Sequence, residues 1–152
     1  MKLYKVTDAQ DRTYGGCQWG EGVEHRTDGQ GPLCGSGWTH WTTHPLLAVL
    51  LNAIHGDYDL RTAHLWEGEG TVGLSDHGLK VGCRDGRTVC RVGLPNVTTL
   101  QHVRFGILCA LAVYREPNFV AWAQAWLSGQ DRTGAAASWA ASAAGAAARA
   151  AA

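Results

Sequence analysis

The chain has 152 residues, with thirteen basic and thirteen acidic side chains and a formal net charge of zero. That balance disfavours a nucleic-acid binder, which shows a basic excess or stripe. No apolar run before the tail approaches a bilayer span, so no membrane partner is expected. The short, polar start Met1–Val6 does not read as a secretory signal, which points to the cytoplasm. Five cysteines without a CxxC pair are expected to be free thiols rather than a disulfide framework. Twenty glycines imply many turns, and seven tryptophans must line a core, a pocket or an interface.

Leu3 to Thr7 alternates apolar and polar residues and predicts a first strand. The Gly-, Asp- and Thr-rich stretch from Asp8 to Gly37 holds short β-like pieces around Tyr14–Trp19 and Gly22–His25. Trp38 to Thr42 alternates again and predicts a strand with Trp38 and His40 on one face. Thr43 as N-cap and Pro45 in the first turn predict a buried apolar helix ending near Gly56. From Arg61 to Leu94 the period is two, with strands at Ala63–Glu67, Gly78–Cys83 and Thr88–Val92. Asp85-Gly86 reads there as a hairpin turn. The arginines 84, 87 and 91 read as a solvated strand face. Thr98 or Thr99 then caps a helix carrying Leu100, Val103, Ile107, Leu111 and Tyr114. A second helix starts at Pro117 and stops at Gly129, giving an αα-hairpin.

The fold class expected is α+β: a small, mostly antiparallel sheet packed against one central helix and a C-terminal helical hairpin, with an Ala-rich tail. Residues 1–130 are expected to form a single domain. Residues 131–152 form an Ala/Ser/Gly-rich low-complexity tail, helical or docked on another copy.

Reactive side chains concentrate between Cys34 and Pro45. A zinc site would use Cys34, His40 and His44 with Cys17 or His64, but the spacing matches no closed structural site, so no metal and no cofactor are expected. A Cys–His nucleophile built on Cys34 or Cys17 lacks a fixed partner. No P-loop, dinucleotide fingerprint or nucleophile elbow is present. The clustered Trp38, Trp41 and Trp66, with His40 and His44, are the candidate binding residues, because Trp is enriched at binding hot spots.

The order of landmarks resembles an uncharacterised domain family widespread in bacteriophage and prophage proteins. Its pieces are Tyr4-Lys5-Val6, Tyr14-Gly15-Gly16-Cys17-Gln18-Trp19, Leu33-Cys34, Gly37-Trp38-Thr39-His40 and Leu65-Trp66-Glu67 with Gly70. The resemblance implies a viral or prophage origin in a host cytoplasm and no established activity. Lys5, Gly37-Trp38-Thr39 and either Glu67 or Glu69 are also loosely similar to the ADP-ribosyltransferase fold. The leading expectation is a phage-type accessory protein, a non-catalytic module binding a host or viral protein. One alternative is an NAD-consuming, ADP-ribosyltransferase-like enzyme using Lys5, Thr39 and Glu67. The other is a virion structural or assembly protein that self-associates.

Overall fold

The computed structural model describes residues 1–134; the expectation for the Ala-rich tail lies largely outside the described residues. In chain order the strands are β1 (Lys2–Thr7), β2 (Arg12–Thr13), β3 (Cys17–Gln18), β4 (Glu24–Arg26), β5 (Thr39–Trp41), β6 (His64–Asp76) and β7 (Lys80–Val92). The helices are α1 (Pro45–Leu50), α2 (Asn52–His55), α3 (Thr99–Val113) and α4 (Pro117–Ser128). The fold is α+β with antiparallel pairing throughout. Among the described residues no helix is long and apolar enough to cross a membrane. The chain divides into two compact units, Met1–Val97 and a second from Thr98 onward.

In the first unit β6 and β7 form a long hairpin. β1 pairs with the outer edge of β6, while β4 and β5 lie end to end along the other edge of β7. Tyr4 and Thr42 exchange backbone hydrogen bonds of 2.8 and 2.9 Å. That bridge joins β1 to the end of β5, so β1, β6, β7 and β5 close into a small ring. Leu3, Trp19, Trp41, Val81 and Cys83 fill it.

The hairpin turn sits elsewhere than the sequence suggests. Asp85-Gly86 lies inside β7, and the turn is His77-Gly78, both at positive φ (45° and 83°) and closed by Leu79 N–H donating to Asp76 O at 2.7 Å. Two consecutive left-handed residues make the turn whose twist suits a tight hairpin. Gly86 serves a different need. A Cβ there would lie 2.6 Å from both Thr39 Oγ1 and Trp41 Nε1, so the glycine makes room for an indole. The β6 strand also runs on through Gly68, Gly70 and Gly73 to Asp76, well past the expected end at Glu67.

The helix from Pro45 is capped by His44, not Thr43: the His44 ring Nδ1 accepts from Leu46 N–H at 3.2 Å. Thr43 instead donates its hydroxyl to Gly78 O at 3.2 Å. The expected single buried helix is two short ones joined at Leu51. Its buried side chains are Ala48, Val49, Leu51 and Asn52, while Leu46 and Ile54 are exposed. An all-round apolar sequence therefore buries one face only.

The second unit is the helical hairpin read from the sequence. Thr98 and Gln101 form a reciprocal capping box on α3, and left-handed Gly129 (φ 86°) ends α4. Ile107, Phe119, Ala123 and Trp126 make its own core.

Space under Trp41 gives a direct test of this packing. A Cβ on Gly68 would lie 2.5 Å from Trp41 Cζ3 and from the backbone oxygen of Arg87. Gly68→Ala is therefore expected to cost about 1–3 kcal/mol in urea unfolding of the full chain, as overpacking does. Gly93→Ala, with nothing within 4 Å, is the near-neutral control. Equal stability of the two variants would contradict the packing described.

Candidate functional site

The first unit carries a cleft of about 640 Å³, a size typical of ligand pockets. Three-residue β5 divides it, because side chains alternate across a strand. Thr39 and Trp41 face the ring interior, and His40 faces the other way with the neighbouring Trp38. Residues from both faces line the cleft, together with the α1–α2 segment.

On the interior side stands Lys5. Leu3, Lys5 and Thr7 share the inward phase of β1 and are all buried. The Lys5 ammonium donates to His40 O and lies 4.5 Å from the ring centroids of both Trp19 and Trp41. Those indoles meet edge to face at 5.2 Å and 82°. Each is fixed by its own N–H: Trp41 Nε1 donates to Thr39 Oγ1 at 3.0 Å, and Trp19 Nε1 to Thr13 Oγ1 at 2.9 Å. His25 packs edge-on against Trp19 at 4.5 Å, with its Nε2 3.6 Å from Cys17 Sγ.

On the other side stands Lys80. It donates to Cys34 Sγ at 3.0 Å, beside His40, His55 and Trp38 on the cleft wall. Trp38 lies across the hairpin because Gly73 and Gly82 carry no side chain: Cβ atoms there would lie 2.4 Å from Trp38 Cζ3 and 3.1 Å from Trp38 Cβ. Its Nε1 donates to Gly31 O at 3.1 Å.

The electrostatics are one-sided. Lys5 and Lys80 are each only 8% exposed, and among the described residues neither has a carboxylate partner. The lining includes Lys5, Lys80, Arg26 and three histidines (25, 40 and 55), and no aspartate or glutamate. Burial, opposed only weakly by the Cys17 and Cys83 thiols, pulls the Lys5 amine down from 10.5 to about 7. Burial also lowers His40; the Leu33 carbonyl that its ring contacts opposes this, and the Lys80 and Lys5 charges add to it. His55 is lowered by burial and by Lys80, against a raising effect of Asp76.

The remaining sequence candidates fall outside the cleft. Glu67 pairs with Lys2 at 3.0 Å. It stands opposite Tyr4 in the ladder, whereas Lys5 stands opposite Trp66, so Glu67 projects from the other face of the sheet. Lys5 and Thr39 therefore share a cleft without the third member of the expected trio. His44 is engaged as a helix cap. Trp66 is buried and donates to Asp11 Oδ1 at 2.9 Å. Asp11, in a left-handed turn (φ 60°), also binds His64 at 2.7 Å and Arg91 at 2.8 Å, a clasp tying the β1–β2 turn to β6 and β7. Trp41 is 1% exposed and Trp66 4%, so the three clustered indoles do not form a surface patch. Cys34 and His40 reach the cleft, but among the described residues no three His, Cys, Asp or Glu side chains are placed to share a metal ion. The five cysteines are free thiols.

Lys80, Trp19 and His25 were not among the candidates read from the sequence. Lys5 was reached only through the ADP-ribosyltransferase likeness: with Thr7 it stands in the polar phase of β1, opposite to Tyr4 and Val6, and the fold turns that phase inward. Comparison with family models, with curated proteins and with solved structures gives no match.

The lowered pKa of Lys5 has a consequence for stability. Between pH 7 and 10.5 the unfolded chain holds a proton on Lys5 that the native state has released, so this residue makes stability rise with pH across that window. The full penalty is present below pH 7. Replacing the amine by an apolar chain, Lys5→Met, is expected to stabilise the protein most at pH 6. The gain is several kcal/mol at about 1.4 kcal/mol per tenfold change in acid dissociation. It should shrink steadily towards pH 10.5. Urea unfolding at several pH values checks this, and a pH-independent difference would contradict it.

Proposed function

We propose that the first unit is a non-catalytic binding module for a small acidic ligand with an apolar or aromatic body. The setting proposed is a phage-type accessory protein of the kind its sequence resembles. One observation carries this reading: two lysines, each more than nine-tenths buried, line a cleft that offers them no carboxylate. An uncompensated buried charge is costly, and an anion entering the cleft would supply the missing counter-charge. The indole and aliphatic walls, with half-buried Trp38 and exposed Ile54, suit an apolar body beside the acid. A host or viral protein could occupy the same site by inserting an acidic side chain. It could not dock on Trp41 and Trp66, which are sealed inside.

Tryptophan fluorescence and calorimetry with phenylacetate, phenyl phosphate and neutral phenylacetamide test the reading. Both acids should bind, more weakly as salt is raised, and the amide at least about tenfold more weakly, as loss of a charge-assisted hydrogen bond requires. Lys80→Met should weaken both acids while leaving the amide unaffected. Equal binding of acid and amide, or no binding of either acid, would overturn the proposal.

A further inference from the structure

At the outer end of the cleft a buried amine meets an open thiol. Cys34 is exposed, in a turn closed by Gly35 N–H donating to Pro32 O at 2.8 Å. Its neighbour Leu33 is held from the other side, with its carbonyl 2.5 Å from His40 Nε2 and its side chain against bare Gly82. Lys80 opens β7 and is only 8% exposed. Its Nζ lies 3.0 Å from Cys34 Sγ, the one hydrogen-bond partner it has among the described residues. Two side chains 46 residues apart in the chain are thus brought into contact by positions fixed on both sides. None of the other four cysteines is placed this way. Cys83 is sealed inside, Cys17 and Cys109 are half-buried, and exposed Cys90 stands opposite Glu67 in the β6–β7 ladder. Thiols that oxidise readily are accessible ones beside a cation, whose charge favours the anionic sulfur that attacks.

We propose that Cys34 and Lys80 are a modification site for hydrogen peroxide, which joins them by a sulfenamide bond between Sγ and Nζ. In the first step the Cys34 sulfur attacks one peroxide oxygen and the oxygen–oxygen bond breaks. The departing hydroxide takes up the thiol proton and leaves as water, and Cys34 becomes a sulfenic acid. Sulfur is oxidised by two electrons and the peroxide is reduced by two. In the second step the Lys80 amine, its extra proton released to solvent, directs its lone pair at that sulfur. A sulfur–nitrogen bond forms, the sulfur–oxygen bond breaks, and the hydroxide leaves as water with one amine proton. One thiol, one amine and one peroxide give one sulfenamide and two waters. The bond ties the loop carrying Cys34 to β7 and removes a cationic charge from the cleft. It needs no occupant there, so it stands or falls apart from the anion-binding reading.

The full-length protein is treated with hydrogen peroxide, remaining thiols are blocked with iodoacetamide, and the products are mapped by tryptic mass analysis. The peptide carrying Cys34 should appear joined to the one carrying Lys80, with the loss of two hydrogens and no cleavage after Lys80. Dithiothreitol should separate them and restore that cleavage. Dimedone, which traps sulfenic acids, should label Cys34 at least about fivefold faster than Cys90 and suppress the joined product. Lys80→Met should abolish the joined product while Cys34 still takes up dimedone. Cys34→Ser, a change at an exposed position, should abolish both, and it keeps the test decisive if the lysine variant fails to fold. A disulfide from Cys34 to Cys83 also loses two hydrogens, but it leaves cleavage after Lys80 intact; that product overturns the proposal. Faster labelling of Cys90, or peroxide treatment that yields no joined peptide, overturns it as well.

Discussion

The first unit is organised around the Trp41 indole. Its ring fills the centre of the strand ring, and Gly68 and Gly86 on the paired long strands are bare because that ring presses on them. Its edge receives Trp19, and the two rings form the slot that holds the Lys5 ammonium. Its N–H is held by Thr39, whose hydroxyl in turn donates to Cys83 O at 2.9 Å. A bulky aromatic in a small ring of strands thus sets glycine positions on its neighbours, the conformation of β5 and the environment of one amine. The packing decision and the electrostatic one are the same decision.

That coupling explains how a chain with no net charge acquires a cationic cleft. Several acidic residues of the first unit are engaged elsewhere: Asp8 with Arg12, Asp11 with His64 and Arg91, Asp59 with Arg61, and Glu67 with Lys2, while Glu24 pairs with Arg26 of the cleft lining. Most of these pairs are solvent-exposed and contribute little to stability. Their effect here is spatial. They keep carboxylates on the outer surface and leave Lys5 and Lys80 without counter-charges inside. A sum over the sequence hides this, because charge balance says nothing about where each sign is placed.

Much of the architecture was legible in the residues. The first strand, both C-terminal helices and the glycine stop at Gly129 follow from periodicity and capping chemistry, and the structure has them. The misreadings share a cause, in that a local signal was outweighed by a distant neighbour. Asp85-Gly86 has turn chemistry, but Asp85 accepts from Thr71 N–H at 2.7 Å across the hairpin and Gly86 is reserved for Trp41. The α1–α2 segment is apolar all round, yet only one face meets the sheet. Trp66 sits beside Glu67 in a strand and looks surface-directed until Asp11 folds back to bind its N–H. Of the binding candidates, Trp38, His40 and Trp41 line the cleft. Lys80 was missed because its partner, Cys34, lies 46 residues away.

The central claim is that Lys5 is a buried, unpaired amine awaiting an anionic partner. Titration of its side-chain carbon signals by NMR, with the lysines isotopically labelled, addresses that directly. The Lys5 resonance should titrate near 7 in the free protein and move upward once phenyl phosphate is bound, because an added counter-charge favours the protonated form. A Lys5 that titrates at the ordinary lysine value of 10.5 with or without the anion would contradict it.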